Sequence, residues 1–212
     1  MSELIFYTNP MSRGQIVRWM LEEIGVPYET QILDYTSSMK APAYLAINPM
    51  GKVPAIRYNG KIVTECAAIC AFLAAAFPDA ELGPRPDEMA DYYRWMFFAA
   101  GPVEQGVTNH AMGFDPTQEQ VRQAGYGSYD RMVDVLDQAL GDRDYVCGAR
   151  FTAADVYLGS QVIWGTQFKT LPQRDSFTAY GARLASREAY RRAKAIDGRL
   201  IAEMQPAPPV EA

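Results

Sequence analysis

The hydrophobic pattern changes period several times in the first 77 residues. Leu4-Ile5-Phe6-Tyr7-Thr8 is a continuous apolar, β-rich run that Asn9-Pro10 ends. From Ser12 onward Ile16, Val17, Met20, Leu21 and Ile24 recur at helical spacing, and Gly25 stops them. Pro27 then leads into an alternating stretch at 28–33, a second strand. Strand, helix and strand with short joints make a βαβ unit, so the two strands are expected to be parallel. Residues 37–47 predict a short, irregular helix interrupted by Pro42. Asn59-Gly60 separates two β-rich runs, 55–58 and 61–64, and is a strong hairpin signal. Pro54 has no N–H for a ladder and therefore opens the first of these strands at an edge or end. Residues 65–77 read as one buried helix whose start, Thr64-Glu65-Cys66, offers free N–H groups and a positive dipole end to an anion.

Beyond the Pro- and Gly-rich stretch 78–86 the strand signals vanish. A helix is predicted over 87–110, with Tyr93, Met96, Phe97 and Ala100 on one stripe and a bend at Gly101-Pro102. A second long helix is predicted over 117–140, with Val121, Ala124, Tyr129, Met132, Val133 and Leu136 apolar. Thr152 and Asp155 have the spacing of an N-terminal capping box ahead of Val156-Tyr157-Leu158, a structural role. Shorter helices follow over 173–185 and 187–204, then a proline-rich, mobile tail at 205–212. The expected organisation is an α/β domain of order β-α-β-α-β-β-α at 1–77, a linker at 78–86 and an all-α helical bundle at 87–204.

Composition narrows the function classes. A net charge of −5 argues against a nucleic-acid partner. The basic run Arg183, Arg187, Arg191, Arg192 and Lys194 reads as a solvated helix face. The longest apolar run is twelve residues, 66–77, well short of the roughly 20 that span a bilayer, and residues 1–7 lack the basic start of a signal peptide. No membrane association is expected. Three scattered cysteines and a single histidine, His110, fit a reducing cytoplasm and give no metal site. Cys70 and Cys147 read as small buried hydrophobes.

A hairpin followed by a capped helix accounts for residues 48–77 on its own terms. A more specific reading comes from Asn48-Pro49-Met50-Gly51-Lys52-Val53-Pro54-Ala55-Ile56 taken together with Thr64-Glu65-Cys66-Ala67-Ala68-Ile69. The pair resembles the glutathione-binding core of the cytosolic glutathione transferases, with bacterial, serine-dependent classes nearest. The resemblance implies a thioredoxin-like first domain, a helical second domain, a homodimer and glutathione as co-substrate, without metal. It implies that Val53 pairs its backbone with the cysteinyl group beside a cis Pro54, and that Glu65 and Cys66 hold the γ-glutamyl end. Cysteine stands at 66 where the family usually has serine, which leaves the main-chain N–H for that contact. Lys40 and Lys52 would serve the glycyl carboxylate, with Met39 where related sequences often carry histidine.

The chemistry so implied needs a thiolate. Half-ionising a thiol of ordinary pKa near 8.5 at pH 7 requires about 2 kcal/mol. One hydroxyl hydrogen bond to charged sulfur supplies roughly 1.5–3 kcal/mol and a helix start roughly 0.3–1. A positioned hydroxyl at a helix start is therefore enough. Ser12, after the first strand and before the first helical turn, is the candidate, a role compatible with capping that helix. Tyr7 is the rival, and Arg13 would add positive potential. The resemblance puts a small hydrophobic electrophile between the domains, with Met11, Phe98, Phe114, Trp164 and Phe168 as candidates that periodicity alone also assigns to the core. His110 reads as a surface residue or as a group near the sulfur. The expected activity is a glutathione transferase of detoxification type. A non-catalytic binding module on the same fold, or a glutathione-dependent thiol–disulfide reductase, remains as an alternative.

Overall fold

The computed structural model describes residues 3–204, so the tail expected at 205–212 lies outside the described residues. Four strands form one sheet in the order β2-β1-β3-β4. Strand β1 (Leu4–Thr8) runs parallel to β2 (Glu29–Ile32) and antiparallel to β3 (Ala55–Tyr58), which pairs antiparallel with β4 (Lys61–Thr64). The central β1 is buried throughout, the reason its sequence is continuously apolar instead of alternating. On one face Ile5, Tyr7 and Ala55 pack with Leu33, Met39 and Tyr44. Met39 and Tyr44 come from a 3-10 turn (Ser38–Lys40) and the short helix α2 (Pro42–Leu45), the irregular element expected there.

Helix α1 (Gly14–Ile24) buries Ile16, Val17, Trp19, Met20 and Leu21, and Gly25 closes it in the left-handed conformation at φ 73°. Arg18 lies in that buried stripe. Its guanidinium stands 5.0 Å over the Phe6 ring and 5.5 Å over Tyr28. It donates to Asp197 at 3.2 Å, Thr30 Oγ1 at 2.8 Å and the Tyr28 hydroxyl at 3.1 Å. A buried cation survives only with such partners, and Asp197 is on the C-terminal helix α9 (Glu188–Met204). Trp19 and Tyr190 add an edge-on ring contact at 5.0 Å.

By their contacts, residues 3–69 and 188–204 form one compact unit and residues 70–187 another, the division falling inside helix α3 (Cys66–Ala76). The sequence pattern groups 187–204 with the helical part; the contacts of α9 lie with α1, because Arg18 requires an acid.

In the second unit, α4 (Met89–Phe98) passes through a π-helical turn (Ala99–Val103) into α5 (Glu104–Ala111), so Gly101-Pro102 interrupts the helix as expected. The buried stripe is Tyr92, Trp95, Met96, Ala99 and Val103. It lies one residue off the expected one, and Tyr93 and Phe97 are exposed. The single helix expected over 117–140 is corrected to α6 (Tyr129–Gly141), preceded by turns. Gly127 takes φ 70°, and Ser128 starts the helix by accepting the Arg131 N–H. Residues 78–86 are fastened: Arg150 donates to the Glu81 and Gly83 carbonyls and pairs with Glu88. Cys70 is buried, whereas Cys147 is half-buried beside Thr152 Oγ1.

Helices α7 (Ala153–Gln167) and α8 (Asp175–Ala185) complete the unit. Thr152 and Asp155 form the expected capping box at the start of α7. Asp155 does more than cap. Fully buried, its carboxylate also accepts from Val146 N–H at 2.8 Å and the Tyr180 hydroxyl at 2.9 Å. Removing it leaves several buried donors unpaired at about 1–3 kcal/mol each. The loss in Asp155→Ala is therefore expected to exceed the roughly 1 kcal/mol of a cap alone. Burial pushes the Asp155 carboxyl up to about 6 against these donors. The folded state then holds this proton more tightly than the unfolded chain, whose value is near 3.9. The group's contribution is full below about pH 4 and is lost as pH rises to about 6. Chemical denaturation across that window should show wild-type stability falling relative to that of Asp155→Asn, which lacks the titrating group.

Candidate active site

The strand register gathers the candidate residues of the first unit at one end of the sheet. Tyr7 pairs with Ala55 and Ala55 with Thr64, so the segments following Thr8, preceding Ala55 and following Thr64 share that end. They carry Ser12, Val53-Pro54 and Glu65-Cys66 respectively.

The loop after β1 is shaped by Asn9, a buried side chain that the sequence reading used only as a strand end. Its Nδ2 donates to Leu33 O at 2.8 Å and its Oδ1 accepts the Met11 N–H at 2.9 Å. The Asn9 carbonyl accepts the Ser12 hydroxyl at 2.6 Å and the Ser12 N–H at 3.1 Å. Ser12 Oγ in turn accepts the Gly14 N–H at 2.9 Å, so it caps the start of α1. Ser12 is partly exposed, and Met11 and Arg13 are exposed beside it. Tyr7 differs: its ring is 3% exposed in the sheet core, tilted against Tyr44 at 5.8 Å.

The second segment is held from below by polar side chains. The Tyr44 hydroxyl donates to Lys52 O at 2.6 Å, and Asn48 Nδ2 donates to the same oxygen at 2.9 Å. Burial pushes the Tyr44 hydroxyl up to about 12, so it stays a neutral donor. Both bonds fix the main chain just before Val53, and the Val53–Pro54 peptide is cis. Lys40 Nζ donates to Gly51 O at 2.6 Å. Gly51 has φ 57°, and a Cβ there would stand 3.0 Å from that ammonium. Lys52 is exposed. Met39 is buried in the core, an apolar structural position.

Glu65 is exposed with φ 64°, a conformation uncommon outside glycine, and its carbonyl takes the first bond of α3 from the Ile69 N–H. The first-turn N–H groups of α3 have no acceptor within the helix. Cys66 Sγ donates to Arg13 O at 3.7 Å, which ties the start of α3 to the start of α1.

In the second unit Phe114 and Phe168 are exposed, while Phe98 and Trp164 are half-buried. Phe98 packs edge-on against Trp95 at 5.5 Å. His110 stacks on Tyr129 at 3.8 Å and pairs with Asp115 at 2.9 Å. No group that would hold a metal ion occurs among the described residues.

A thioredoxin-like α/β domain followed by a helical domain, with a hydroxyl, a cis-proline edge and a helix start at one sheet end, defines the class. Residues 11–76 match the glutathione S-transferase N-terminal domain and residues 119–195 its C-terminal domain. The chain is 30% identical over 160 residues to glutathione S-transferase GstA of Escherichia coli O157:H7, covering 73% of this chain and 78% of that one. It also superposes with a TM-score of 0.73, at 27% identity over 91% of this chain and 97% of the other, on the theta class glutathione S-transferase of the citrus canker pathogen Xanthomonas axonopodis pv. citri with glutathione bound. Elongation factor 1-gamma 3 of Oryza sativa subsp. japonica is 26% identical over 149 residues, 68% of this chain but 36% of that one. The chain belongs to the glutathione S-transferase family.

Gly14 borders the candidate site, and sequence reasoning passed over it. A Cβ there would overlap Thr8 Oγ1 and stand 3.0 Å from Ser12 Oγ. Glycine to alanine normally stabilises a helix by about 1 kcal/mol; here the sign reverses. Gly14→Ala should lower the melting temperature, and Thr8→Ala in the same chain should recover part of the loss, since it removes the overlapping oxygen. Differential scanning calorimetry of the single and double variants checks this.

Proposed function

We propose that the chain is a glutathione transferase that ionises the glutathione thiol through Ser12 and adds the thiolate to a small hydrophobic electrophile. The observation that carries this reading is the Ser12 hydroxyl, part-exposed at the helix start and at the same sheet end as the cis Val53–Pro54 peptide. Its proton rests on the Asn9 carbonyl. When a thiolate is bound, the hydroxyl turns that proton to sulfur. Asn9 O keeps the Ser12 N–H at 3.1 Å and the Thr8 hydroxyl at 3.3 Å, so it is not left bare. The Gly14 N–H meanwhile polarises the oxygen and strengthens its O–H as a donor. No general base is needed, because one such bond matches the roughly 2 kcal/mol the ionisation requires.

The remaining roles are inferred from the family resemblance. The Val53 main chain pairs with the cysteinyl group beside Pro54, and Glu65 with the N–H of Cys66 receives the γ-glutamyl end. The Cys66 thiol faces Arg13 and contributes structure. Lys40 and Lys52 act on the glycyl carboxylate, Lys40 from its seat on Gly51. The buried ring of Tyr7 supports Ser12 over Tyr7 as the activator. Exposed Met11 and Phe114, with Phe98 and Trp164, remain the candidates for the electrophile. A cytoplasmic location is supported by three free cysteines. Among the described residues no helix is long and apolar enough to cross a membrane.

The likeness to part of elongation factor 1-gamma 3 favours a second reading, a binding module on the same fold. Retention on immobilised glutathione without turnover of a halo-nitroaromatic would support that module over the enzyme.

The thiolate absorbance of enzyme-bound glutathione against pH tests the first reading. Wild type should ionise well below 8.5, and Ser12→Ala should return most of the way to that value, with kcat/KM near pH 6.5 falling about 10- to 100-fold. An unchanged titration in Ser12→Ala overturns the assignment. The homodimer is supported by Met89, Tyr93 and Phe97, exposed along one stripe of α4. Phe97→Glu should therefore sediment as a monomer at concentrations where wild type is dimeric.

A further inference from the structure

The C-terminal helix reaches the loop that carries Ser12 through two successive hydrogen bonds. Lys194 Nζ donates to Gln15 Oε1 at 2.6 Å, and Gln15 Nε2 donates to the Pro10 carbonyl at 2.6 Å. Gln15 belongs to the face of α1 that meets α9. Further along that face Arg18 meets Asp197, Trp19 meets Tyr190 and Glu22 meets Arg192 at 3.2 Å. Gln15 and Lys194 are both half-buried, so the link is largely shielded from competing water. An ammonium on the amide oxygen draws electron density toward it and makes the amide N–H a stronger donor to Pro10 O. Burial pulls the Lys194 ammonium below its ordinary value while the Asp197 carboxylate, beside it and paired with Arg18, holds it up.

Position in the chain gives this link its reach. Pro10 stands between Asn9, whose carbonyl receives the Ser12 proton, and Met11, whose N–H is held by the Asn9 side chain. The Asn9 bonds fix one side of the loop, and the Gln15 bond fixes the Pro10 carbonyl on the other. Without it the Pro10–Met11 peptide is held through its N–H alone, and the angle at which Ser12 presents its hydroxyl is less tightly set.

We propose that Gln15 and Lys194 are positioning residues for thiol activation, with the C-terminal helix setting the Ser12 loop through a charge-polarised amide. This rests on the reading of Ser12 as the donor to the thiolate. Neither side chain touches the reacting sulfur; both act through Pro10.

The test is the bound-thiol titration in Lys194→Met, which keeps the apolar stem and removes the cation, and in Gln15→Leu, with melting temperatures measured alongside. Each variant should raise the bound-thiol pKa by about half a unit to one unit, a roughly three- to tenfold smaller thiolate fraction below that pKa. The KM for glutathione should stay within about twofold, kcat should carry the loss, and Lys194→Arg should restore most of it. The double variant should rise no further than the larger single one, because the two residues act in series. A lowered melting temperature with an unmoved thiol pKa in both single variants overturns the positioning role, as does full additivity in the double variant. If Ser12→Ala also leaves the wild-type titration intact, the serine reading itself falls and takes this inference with it. A titration lost in Ser12→Ala and retained in Lys194→Met removes only the inference.

Discussion

The buried carboxamide of Asn9 is the constraint on which the rest of the first unit's site depends. It joins the end of β2, through the Leu33 carbonyl, to the Met11 amide beyond the end of β1. Each buried polar group left without its partner would cost about 1–3 kcal/mol, so the loop has little freedom to adopt another course. The course is tight. It turns the Asn9 carbonyl toward Ser12 and brings the start of α1 so close to β1 that a Cβ at position 14 would overlap the Thr8 hydroxyl. A single side chain thus decides where the hydroxyl stands, where the helix begins and what residue may begin it.

The same device recurs on the other side of the sheet end. Tyr44 and Asn48 both donate to the Lys52 carbonyl, fixing the main chain beside Val53 much as Asn9 fixes the loop at Pro10. Lys40 performs a third instance on Gly51. The candidate site is largely built by side chains that hold backbone, which leaves main-chain edges and helix starts as its features. This suits a peptide co-substrate, whose own groups are amides and carboxylates. Precision then comes from buried bonds with few alternatives instead of from long, exposed side chains with many rotamers.

The sheet and the grouping of the candidate residues at one of its ends were legible in the sequence because both are local. The run at 4–8, the Asn59-Gly60 turn and the Thr152–Asp155 box each specify their element within a few residues. Ser12, Val53-Pro54 and Glu65 fall at one sheet end because strand register, once the hairpin is fixed, leaves no choice. What was not legible depends on distant partners. Apolar residues at 121 and 124 carry helical spacing but no helix, since the turns at 117–127 end at a glycine with positive φ and a new cap at Ser128. Tyr93 and Phe97 are as apolar as the Tyr92 and Trp95 beside them, so composition along α4 could not say which stripe is covered. Asn9 and Gln15 read as ordinary polar residues until the Leu33 and Pro10 carbonyls are brought to them.

Arg18 shows how far such a partner can be. An arginine in the apolar stripe of α1 is inconsistent with a two-layer packing made of hydrophobic residues alone. Aromatic faces from Phe6 and Tyr28 and hydroxyls from Tyr28 and Thr30 take part of its demand. The charge itself is balanced by Asp197, 179 residues further along the chain. Burial pushes the Asp197 carboxyl up and Arg18 draws it down; the net displacement is upward, so desolvation is the larger effect. A pair with that balance contributes little stability beyond what a hydrophobic substitute would give, yet removing either member strands a buried charge. Its consequence is placement. Helix propensity would let α9 form anywhere, whereas a buried guanidinium requires Asp197 at one position on α1. Lys194, three residues before Asp197 and therefore on the same side of α9, then falls against Gln15, next to the loop that holds Ser12.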